Sequence, residues 1–338
     1  MYKFLILCGP LLFLTGLAQA ADHLLYFEAQ GIAGYSSEVK RPIYYSMNPD
    51  AEMQKPSVGF DYLQRFSGES GDWATFALQG RLALTEDNAT DVEYGSRENR
   101  HKYKLEPQVY NAYAKVKTPL TYLWVGHNRP AFGLSSYFDS HGLILRTLAI
   151  QSFGYDRDWG GGLYRDFSWG DVSASVTTGT GMPVYFKGNY MTAARVSYGV
   201  QSRDNYNVGF SLGYGDTLDT MGYRLRDPEP REMQLGAVDL TILRDNLEHR
   251  FDLYAGRWLG NDTYAFFYRF GVNLYPEGQL KIEAQPTYWK FGDEKNYQMA
   301  LCFSSQVTSN LTIRLGYTYD HNADDNRVIL QLYYYRPI

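Results

Sequence analysis

The chain has 338 residues, with 32 basic and 37 acidic side chains and a formal net charge of −5. This charge is mild and no basic tract occurs, so the composition gives no reason to expect nucleic acid as a partner. Only two cysteines occur, and Cys8 lies in the N-terminal leader, so the rest of the chain has neither an intramolecular disulfide nor a cysteine-based zinc site.

The first 20 residues have the pattern of a secretory signal peptide. Lys3 precedes an apolar run over residues 4–17, and residues 18–20 (AQA) form a small-x-small cleavage site. A transmembrane anchor is the alternative, but the run is shorter than the ~20 residues that cross a bilayer as a helix. We expect residues 21–338 to form the folded domain, with 31 basic and 37 acidic side chains once Lys3 is removed.

The composition of the remaining chain is that of a large β-protein. The sequence contains 31 Tyr, 18 Phe, 6 Trp and 32 Gly. After the leader, no apolar run approaches the ~20 residues of a membrane-spanning helix. A transmembrane β-barrel matches an exported chain of this kind, because barrel strands alternate between apolar and polar side chains and contain no continuous hydrophobic segment.

The alternation is clearest near the C-terminal end, where Leu311, Ile313 and Leu315 alternate with Thr312 and Arg314. One apolar face and one polar face suit a strand with lipid on one side and water on the other. Sixteen segments show this pattern, and a single-chain barrel with both ends on one side needs an even number. The predicted strands are residues 25–30, 58–62, 76–85, 110–116, 121–126, 158–164, 172–177, 194–198, 207–214, 238–242, 251–255, 264–274, 280–285, 297–304, 311–320 and 328–334.

Short polar turns such as SGESGD, KTPL and VTSN tend to alternate with longer connections. This is the pattern of short periplasmic turns and longer outer loops in a barrel. A soluble all-β sandwich or propeller exported to the periplasm is the alternative, but aromatic residues near the strand ends favour a bilayer interface. The longer connections are predicted at residues 36–55, 86–104, 129–157, 179–189 and 215–232.

In such a barrel the polar faces line an aqueous lumen, because sixteen strands enclose a channel and not a packed core. Seven basic and five acidic residues fall on these faces, which predicts a weak anion preference. The alternative is that these charges pair and brace the wall. The predicted pore-lining residues are Arg81, Lys115, Arg195, Asp239, Arg250, Asp252, Arg269, Lys281, Glu283 and Arg314, and Glu28 and Asp61 complete the twelve lumenal charges.

Residues 129–157, the longest predicted connection and one rich in charged residues, are the candidate constriction loop. Its basic and acidic residues could face each other across a pore and order polar solutes. Its apolar part, GLILRTLAI, is expected to pack against protein, and an external loop on the barrel rim or on a neighbouring subunit is the alternative. The charged residues singled out here are Arg129, Asp139, His141, Arg146, Asp156, Arg157 and Asp158.

Catalytic and metal-binding patterns give no positive signal. The six histidines form no H-E-x-x-H motif, and no G-x-S-x-G nucleophile motif occurs. His127 and His141 have serines nearby, yet a Ser–His pair would need a third polar group to orient it. No C-x-x-C-H motif is present for a c-type haem. We therefore predict neither an enzyme nor a bound metal or cofactor.

Four short stretches carry a family resemblance, namely residues 126–133 (GHNRPAFG), 139–142 (DSHG), 158–162 (DWGGG) and 177–181 (TTGTG). They resemble bacterial outer-membrane porins. The resemblance is closer to the porin-like component of porin–cytochrome conduits and looser to phosphate-selective-type porins. It implies a barrel of about sixteen strands that passes small solutes or sheathes a multihaem cytochrome, and a homotrimer as one option. One departure is the C-terminal sequence YRPI, since many outer-membrane barrels end in an aromatic residue.

The sequence therefore predicts an outer-membrane porin of a Gram-negative envelope, surrounded by outer-membrane lipid. Small hydrophilic solutes or ions would diffuse passively through its water-filled barrel. The first alternative is a sleeve that holds a multihaem cytochrome in an electron conduit across the outer membrane. The second is a periplasmic binding or adhesion protein, which would be soluble without detergent.

Overall fold

The computed structural model describes residues 20–46, 54–69, 71–87, 102–275 and 279–338. The predicted leader, residues 1–20, lies outside this part of the chain except for Ala20, where the first strand begins. Within the described residues, 17 strands form one antiparallel sheet. They are β1 Ala20–Ser36, β2 Arg41–Ile43, β3 Ser57–Gly68, β4 Gly71–Asp87, β5 Lys102–Lys117, β6 Tyr122–Asn128, β7 Asp158–Asp166, β8 Gly170–Thr177, β9 Tyr190–Tyr198, β10 Tyr206–Met221, β11 Arg224–Arg244, β12 Leu247–Trp258, β13 Asn261–Leu274, β14 Leu280–Phe291, β15 Glu294–Gln306, β16 Leu311–Asp320 and β17 Asp325–Pro337.

The sheet closes on itself through its first and last strands. β1 is hydrogen-bonded to both β3 and β17, and Tyr26 of β1 lies opposite Pro337 of β17. β2 is a short additional strand that pairs with the end of β1, where Ile43 lies opposite Gly34. The other sixteen strands form a closed antiparallel barrel. The predicted all-β class, the barrel and the positions of the sixteen strands are therefore confirmed.

Helical structure is minor in the described residues. A single-turn helix α1 spans Gln201–Asp204, and a 3-10 turn spans Leu134–Ser136. No helix of this part of the chain is long and apolar enough to cross a membrane. The 3-10 turn is the more informative element, because it lies in the connection between β6 and β7.

The prediction of a long connection at residues 215–232 is wrong. β10 and β11 continue through this region as a hairpin that turns between Met221 and Arg224. β11 has 21 residues, about twice the 9–11 that a tilted strand needs to cross a bilayer. The ends of the hairpin therefore extend beyond a membrane layer, where both faces can be polar and the alternation of the sequence disappears.

The strands carry apolar side chains outside and polar side chains inside. On β17, Leu330 and Leu332 are each 45% exposed, whereas Gln331 between them is 0% exposed. Inside the barrel, the Gln331 side chain accepts a hydrogen bond from Arg314 of β16 and donates one to Gln30 of β1, the two strands that flank β17. Apolar surroundings outside the barrel and a polar lumen inside it require this arrangement of side chains.

Strand length differs strongly around the barrel. β6, β7, β8 and β9 have 7, 9, 8 and 9 residues. The flanking strands β5 and β10 have 16 residues each. The wall is therefore low in one sector, and the long connection between β6 and β7 begins and ends there.

Candidate functional site: the connection inside the barrel

Residues 129–157, which join β6 to β7, run across the inside of the barrel. The backbone N–H of Gly133 donates to the Ser211 hydroxyl of β10 at 3.1 Å. The next N–H, of Leu134, donates to the Asp252 carboxylate of β12 at 3.3 Å. The 3-10 turn is thereby fixed to inner-face residues of strands that lie several positions away from β6.

Two aromatic residues that follow the 3-10 turn are held by arginines. The Arg195 guanidinium of β9 lies 4.5 Å from the centre of the Tyr137 ring. The guanidinium groups of Arg250 (β12) and Arg269 (β13) lie 3.8 and 5.5 Å from the centre of the Phe138 ring. Such contacts stabilise by about 0.5–2 kcal/mol each, the upper value applying to desolvated cations. All three arginines are buried, so their charges secure the connection instead of facing lumenal water.

The middle of the connection is tied to the opposite side of the barrel. The Nε2 atom of His141 lies 2.6 Å from the Glu28 carboxylate of β1, and both side chains are buried. Arg314 of β16 donates to the carbonyl oxygen of Gly142 at 2.7 Å. These contacts place the tip of the connection between β1 and β16, far from the strands that hold the 3-10 turn.

Arg146 is a structural residue of the connection. Its carbonyl oxygen accepts hydrogen bonds from Arg269 at 3.2 Å and from Gln285 of β14 at 2.9 Å. Its guanidinium donates to the carbonyl oxygen of Ser46 at 2.9 Å. Burial, reinforced by the charge of Arg327, lowers the pKa of Arg146 to about 9. The sequence placed Arg146 among charges that face a pore, whereas the structure buries it against backbone carbonyls.

The apolar stretch GLILRTLAI is buried inside the barrel. Ile144 and Leu145 belong to a cluster that includes Ile32 of β1 and Ile329 of β17. Leu148 belongs to a second and larger cluster. That larger cluster contains Ala131, Phe132, Leu134, Leu148, Phe153 and Tyr155 of the connection, together with Met191, Ala193, Met233, Leu235, Ala237, Tyr254, Trp258, Leu259, Ala265 and Phe267.

Several charged residues of the connection pair with one another. Arg129 and Asp139 are 2.7 Å apart, and Arg157 lies 3.6 Å from Asp139 and 3.0 Å from Asp156. The hydroxyl of Tyr110 on β5 donates to Asp156 at 2.7 Å. The expectation that these opposite charges face each other across a pore is therefore wrong, because the pairs form within the connection.

Asp139 is the exposed member of this charged cluster. Its side chain is 50% exposed, against 18% for Arg129 and 1% for Arg157. Enclosure by the barrel would raise the pKa of this carboxyl, but the guanidinium groups of Arg129 and Arg157 hold the pKa of Asp139 well below its usual range. Asp139 is therefore a fixed negative charge at neutral pH.

Asp158 has a different position from the one expected of a constriction residue. It is the first residue of β7 and is fully buried. Its carboxylate accepts hydrogen bonds from the N–H groups of Gly179 (2.7 Å), Thr180 (3.2 Å) and Gly181 (3.1 Å) in the loop after β8. Gly179 and Gly181 have φ values of +68° and +72°, which favour glycine. The TTGTG motif therefore forms a turn around a structural carboxylate.

The ten strand residues predicted to line a pore point into the barrel, but most are bonded to neighbouring side chains. Arg195, Arg250 and Arg269 lie beneath the aromatic pair, so the basic excess of the wall does not reach the lumen through them. Their effect on ion flow stays a prediction. The contacts are Arg81 to Gln108, Lys115 to the Tyr122 ring, Arg195 to Asp171 and Asp239, Arg250 to Glu248, Asp252 to the Leu134 N–H, Arg269 to Gln285, Lys281 to Glu248 and Glu283, and Arg314 to Gln331.

A set of partly exposed side chains lies on the inner face of β3 to β7, towards the end of the barrel that carries both termini. Asp61, Tyr113, Lys115, Trp124 and Tyr164 are all partly exposed there. Partial exposure of side chains that point into a barrel means that protein does not fill the space beside them. We name these five residues the bare wall. The covered wall is the set that the connection packs over, namely Arg195, Asp239, Arg250, Asp252 and Arg269.

Sequence reasoning missed the residues that decide this division. Tyr137 and Phe138 were not singled out, although two adjacent aromatic residues in a polar loop are a sign of burial. Tyr113 and Trp124 lie within the predicted strands at residues 110–116 and 121–126, and the sequence analysis assigns them no role of their own. An aromatic side chain on a lumenal face is the signal that could have identified them.

The barrel resembles solved outer-membrane proteins. Salmonella typhi OmpF in complex with daunomycin matches with a TM-score of 0.61 and 11% identity, covering 94% of this chain and 97% of that chain. The trimer form of Vibrio cholerae OmpT matches with a TM-score of 0.60 and 10% identity, covering 94% and 100%. Pseudomonas aeruginosa OpdK with vanillate matches with a TM-score of 0.54 and 10% identity, covering 94% and 99%.

At these identities the likeness establishes the fold alone. No protein-family model matches the chain, and no curated protein matches it. The predicted resemblance to outer-membrane porins is confirmed at the level of the barrel. The closer resemblance to the porin-like component of porin–cytochrome conduits stays a prediction.

Proposed function

We propose that the chain is an outer-membrane channel through which small hydrophilic solutes or ions diffuse passively. Residues 129–157 narrow its lumen. The observation that carries the proposal is the asymmetry of the interior: the connection packs on the covered wall, whereas the bare wall keeps partly exposed side chains. A sixteen-stranded barrel is wide enough to leave an aqueous channel. The passage then runs between Asp139 and the bare wall.

The formal charges along this passage balance in number but differ in exposure, since Asp139 is 50% exposed and Arg129 is 18% exposed. Asp139 and Asp61 contribute negative charge, and Lys115 and Arg129 contribute positive charge. Asp139 is the most exposed carboxylate of the connection, so we expect a slight preference for cations in place of the weak anion preference predicted from the whole wall. Lumenal charges of this kind act on permeating ions through the field that they create.

The sleeve for a multihaem cytochrome is the weaker alternative. A protein partner inside the barrel would have to displace the connection from two apolar clusters and from three cation–π contacts. A small solute has no such requirement. The contacts therefore support diffusion of small molecules over insertion of a protein.

The first test is the single-channel conductance of the refolded, detergent-purified protein in a planar bilayer. The proposal expects steady steps with a linear current–voltage relation. Insertion without conductance would contradict it and would indicate a lumen that the connection closes.

A second test locates the passage by thiol modification. The buried Cys302 is first replaced by serine, and a cysteine is then introduced by Asp139→Cys or, as the matched control, by Ser135→Cys. Asp139 is half-exposed, whereas Ser135 is 1% exposed in the same connection. A charged, water-soluble thiol reagent should reduce the current of the Asp139 variant and leave the control unchanged. Equal responses would show that ions do not pass by Asp139.

A further inference from the structure

Lys115 on the bare wall is a lumenal cation that forms no ion pair with any described residue. Its ammonium group lies 4.6 Å from the centre of the Tyr122 ring and 5.9 Å from the centre of the Tyr164 ring. The carboxylate whose charge acts on Lys115 is Asp166, which accepts a hydrogen bond from the Tyr164 hydroxyl. An ammonium group has three N–H donors, so Lys115 keeps its capacity to bind an acceptor.

The other cations predicted to line the pore differ from Lys115 in this respect. Each of the six donates to a carboxylate or to a side-chain amide. Taking a cation partly out of water costs free energy unless a partner satisfies it. Lys115 is therefore the position of the inner face where an incoming anion would supply a missing partner.

Aromatic side chains surround Lys115 on the inner face. Trp124 lies opposite it on β6, and Tyr113 precedes it by two residues on β5. Gly162 lies opposite Trp124 on β7, and a Cβ at that glycine would come within 2.6 Å of the indole nitrogen. The indole therefore rests on backbone at Gly162. Both Trp124 and Tyr113 stay partly exposed, so they present apolar ring surface beside the ammonium group.

Further positive charge lies near Lys115. The ammonium group of Lys117 lies 5.8 Å from the centre of the same tyrosine ring that Lys115 contacts. Arg65 of β3 and Lys115 lie on either side of Thr75, which is opposite both. Asp22 lies opposite Arg65 on β1, but within the described residues no ion pair joins them. The charges of Lys117 and Arg65 add to that of Lys115 and favour an anion at this place.

We infer that Lys115, Tyr113, Tyr122, Trp124 and Tyr164 form a binding site for an aromatic carboxylate, that is, an anionic group attached to a flat ring. We name these residues the Lys115 site. The ammonium group pairs with the carboxylate, and the aromatic side chains contact the ring. Aromatic lining with a few polar groups is the usual composition of small-molecule sites, and aromatic pairs gain from stacking beyond the area that they bury.

The inference rests on the proposed function, because it names a class of solute for the same passage. Binding at the Lys115 site and the average ion preference of the passage are separate quantities. The second depends on Asp139 of the connection as well.

The test is the binding of benzoate to the detergent-purified protein, measured by equilibrium dialysis against the same detergent without protein. Acetate has the same charge without the ring, and benzyl alcohol has the ring without the charge. The inference expects benzoate to bind about tenfold more tightly than either compound, since each lacks one of the two contacts. It is overturned if benzoate does not bind, or if acetate or benzyl alcohol binds equally well.

Variants then locate the site. Lys115→Gln should weaken benzoate binding about tenfold, whereas Lys115→Arg keeps the charge and should retain most of it. Trp124→Leu keeps an apolar side chain without the ring and should weaken binding several-fold. The matched control is Lys281→Gln, an inner-face lysine already paired with Glu248 and Glu283, which should leave binding unchanged. Equal losses in the Lys115→Gln and Lys281→Gln variants would overturn the assignment.

Dialysis does not require ion flow, so failure of this inference and failure of the proposed function give different results. A conducting protein that does not bind benzoate would remove the Lys115 site and leave the channel. Benzoate binding that depends on Lys115 in a barrel without conductance would contradict the channel and leave the site.

Discussion

The covered wall and the bare wall belong to the same barrel and have the same alternating pattern, yet their polar residues differ in burial and in contacts. On the covered wall, Arg195 lies between Asp171 and Asp239 and beneath the Tyr137 ring. On the bare wall, Lys115 lies 4.6 Å from the Tyr122 ring and remains partly exposed. If the protein is the channel proposed here, we expect a lumenal charge to act on solutes only where the connection leaves it uncovered.

The largest effect is expected from removing the aromatic pair with Tyr137→Ala and Phe138→Ala together. Each truncation leaves a cavity and uncovers buried arginines, so we expect a loss on the order of 5 kcal/mol in the free energy of unfolding. Release of the connection from the covered wall should also raise the single-channel conductance. Both quantities are measured on the refolded protein, in urea and in planar bilayers. The matched control is Tyr275→Ala, at a 72% exposed turn position, which should change neither. An unchanged conductance in a folded double variant would show that the connection does not limit the lumen.

The next prediction compares the two walls by replacing one cation in each with glutamine. Arg195→Gln leaves the buried carboxylates of Asp171 and Asp239 without their cation, which should cost about 3–5 kcal/mol of stability. Lys115→Gln should cost far less, since no buried ion pair is broken. Reversal potentials should rank the two variants in the opposite order. The Lys115 variant should shift the permeability ratio towards cations, and the Arg195 variant should leave it unchanged. A larger shift from the Arg195 variant would break the distinction between the walls.

The strands could be predicted because each one has lipid on one face and water on the other. Apolar and polar residues therefore alternate along its sequence with a period of 2. The hairpin ends between Gly215 and Glu232 escaped prediction for the same reason, since outside the membrane neither face is constrained. The register of Arg195, Arg250 and Arg269 could also be predicted, because a slip of one residue would place a charge in lipid.

The path of the connection could not be predicted in the same way. Its apolar stretch indicated packing against protein, but nothing local specifies which strands receive Ile144 or Leu148. The partner of Arg157 illustrates the point, because Asp139 and Asp156 lie 18 and 1 residues away and are both within 4 Å. Asp158 looked like another charge of the same loop, and its bonds to the backbone around Gly179 depend on two loops meeting in space.

A smaller effect is expected from Asp139→Asn, which removes the most exposed charge of the connection. One charge beside a narrow passage is worth on the order of 1 kcal/mol at short range in water, so the permeability ratio should move several-fold towards anions. Reversal potentials in a salt gradient measure this change. The matched control is Asp171→Asn, a buried carboxylate of β8 that pairs with Arg195, which should leave the ratio close to that of the wild type.

The smallest effect concerns pH and follows from the cations that flank Asp139. Arg129 and Arg157 keep the pKa of this carboxyl below the value of about 3.9 found in unfolded chains. Its contribution to stability is therefore fully present above that unfolded value and is lost only as the pH falls through the lower folded value. Between pH 7 and about pH 4.5 the charge of Asp139 should not change, so the difference in permeability ratio between wild type and Asp139→Asn should stay constant. Comparing the two proteins cancels the titration of groups remote from Asp139, which both proteins share. A difference that shrinks within this range would mean that Asp139 takes up a proton near its ordinary pKa, and that its carboxylate faces open water instead of the two guanidinium groups.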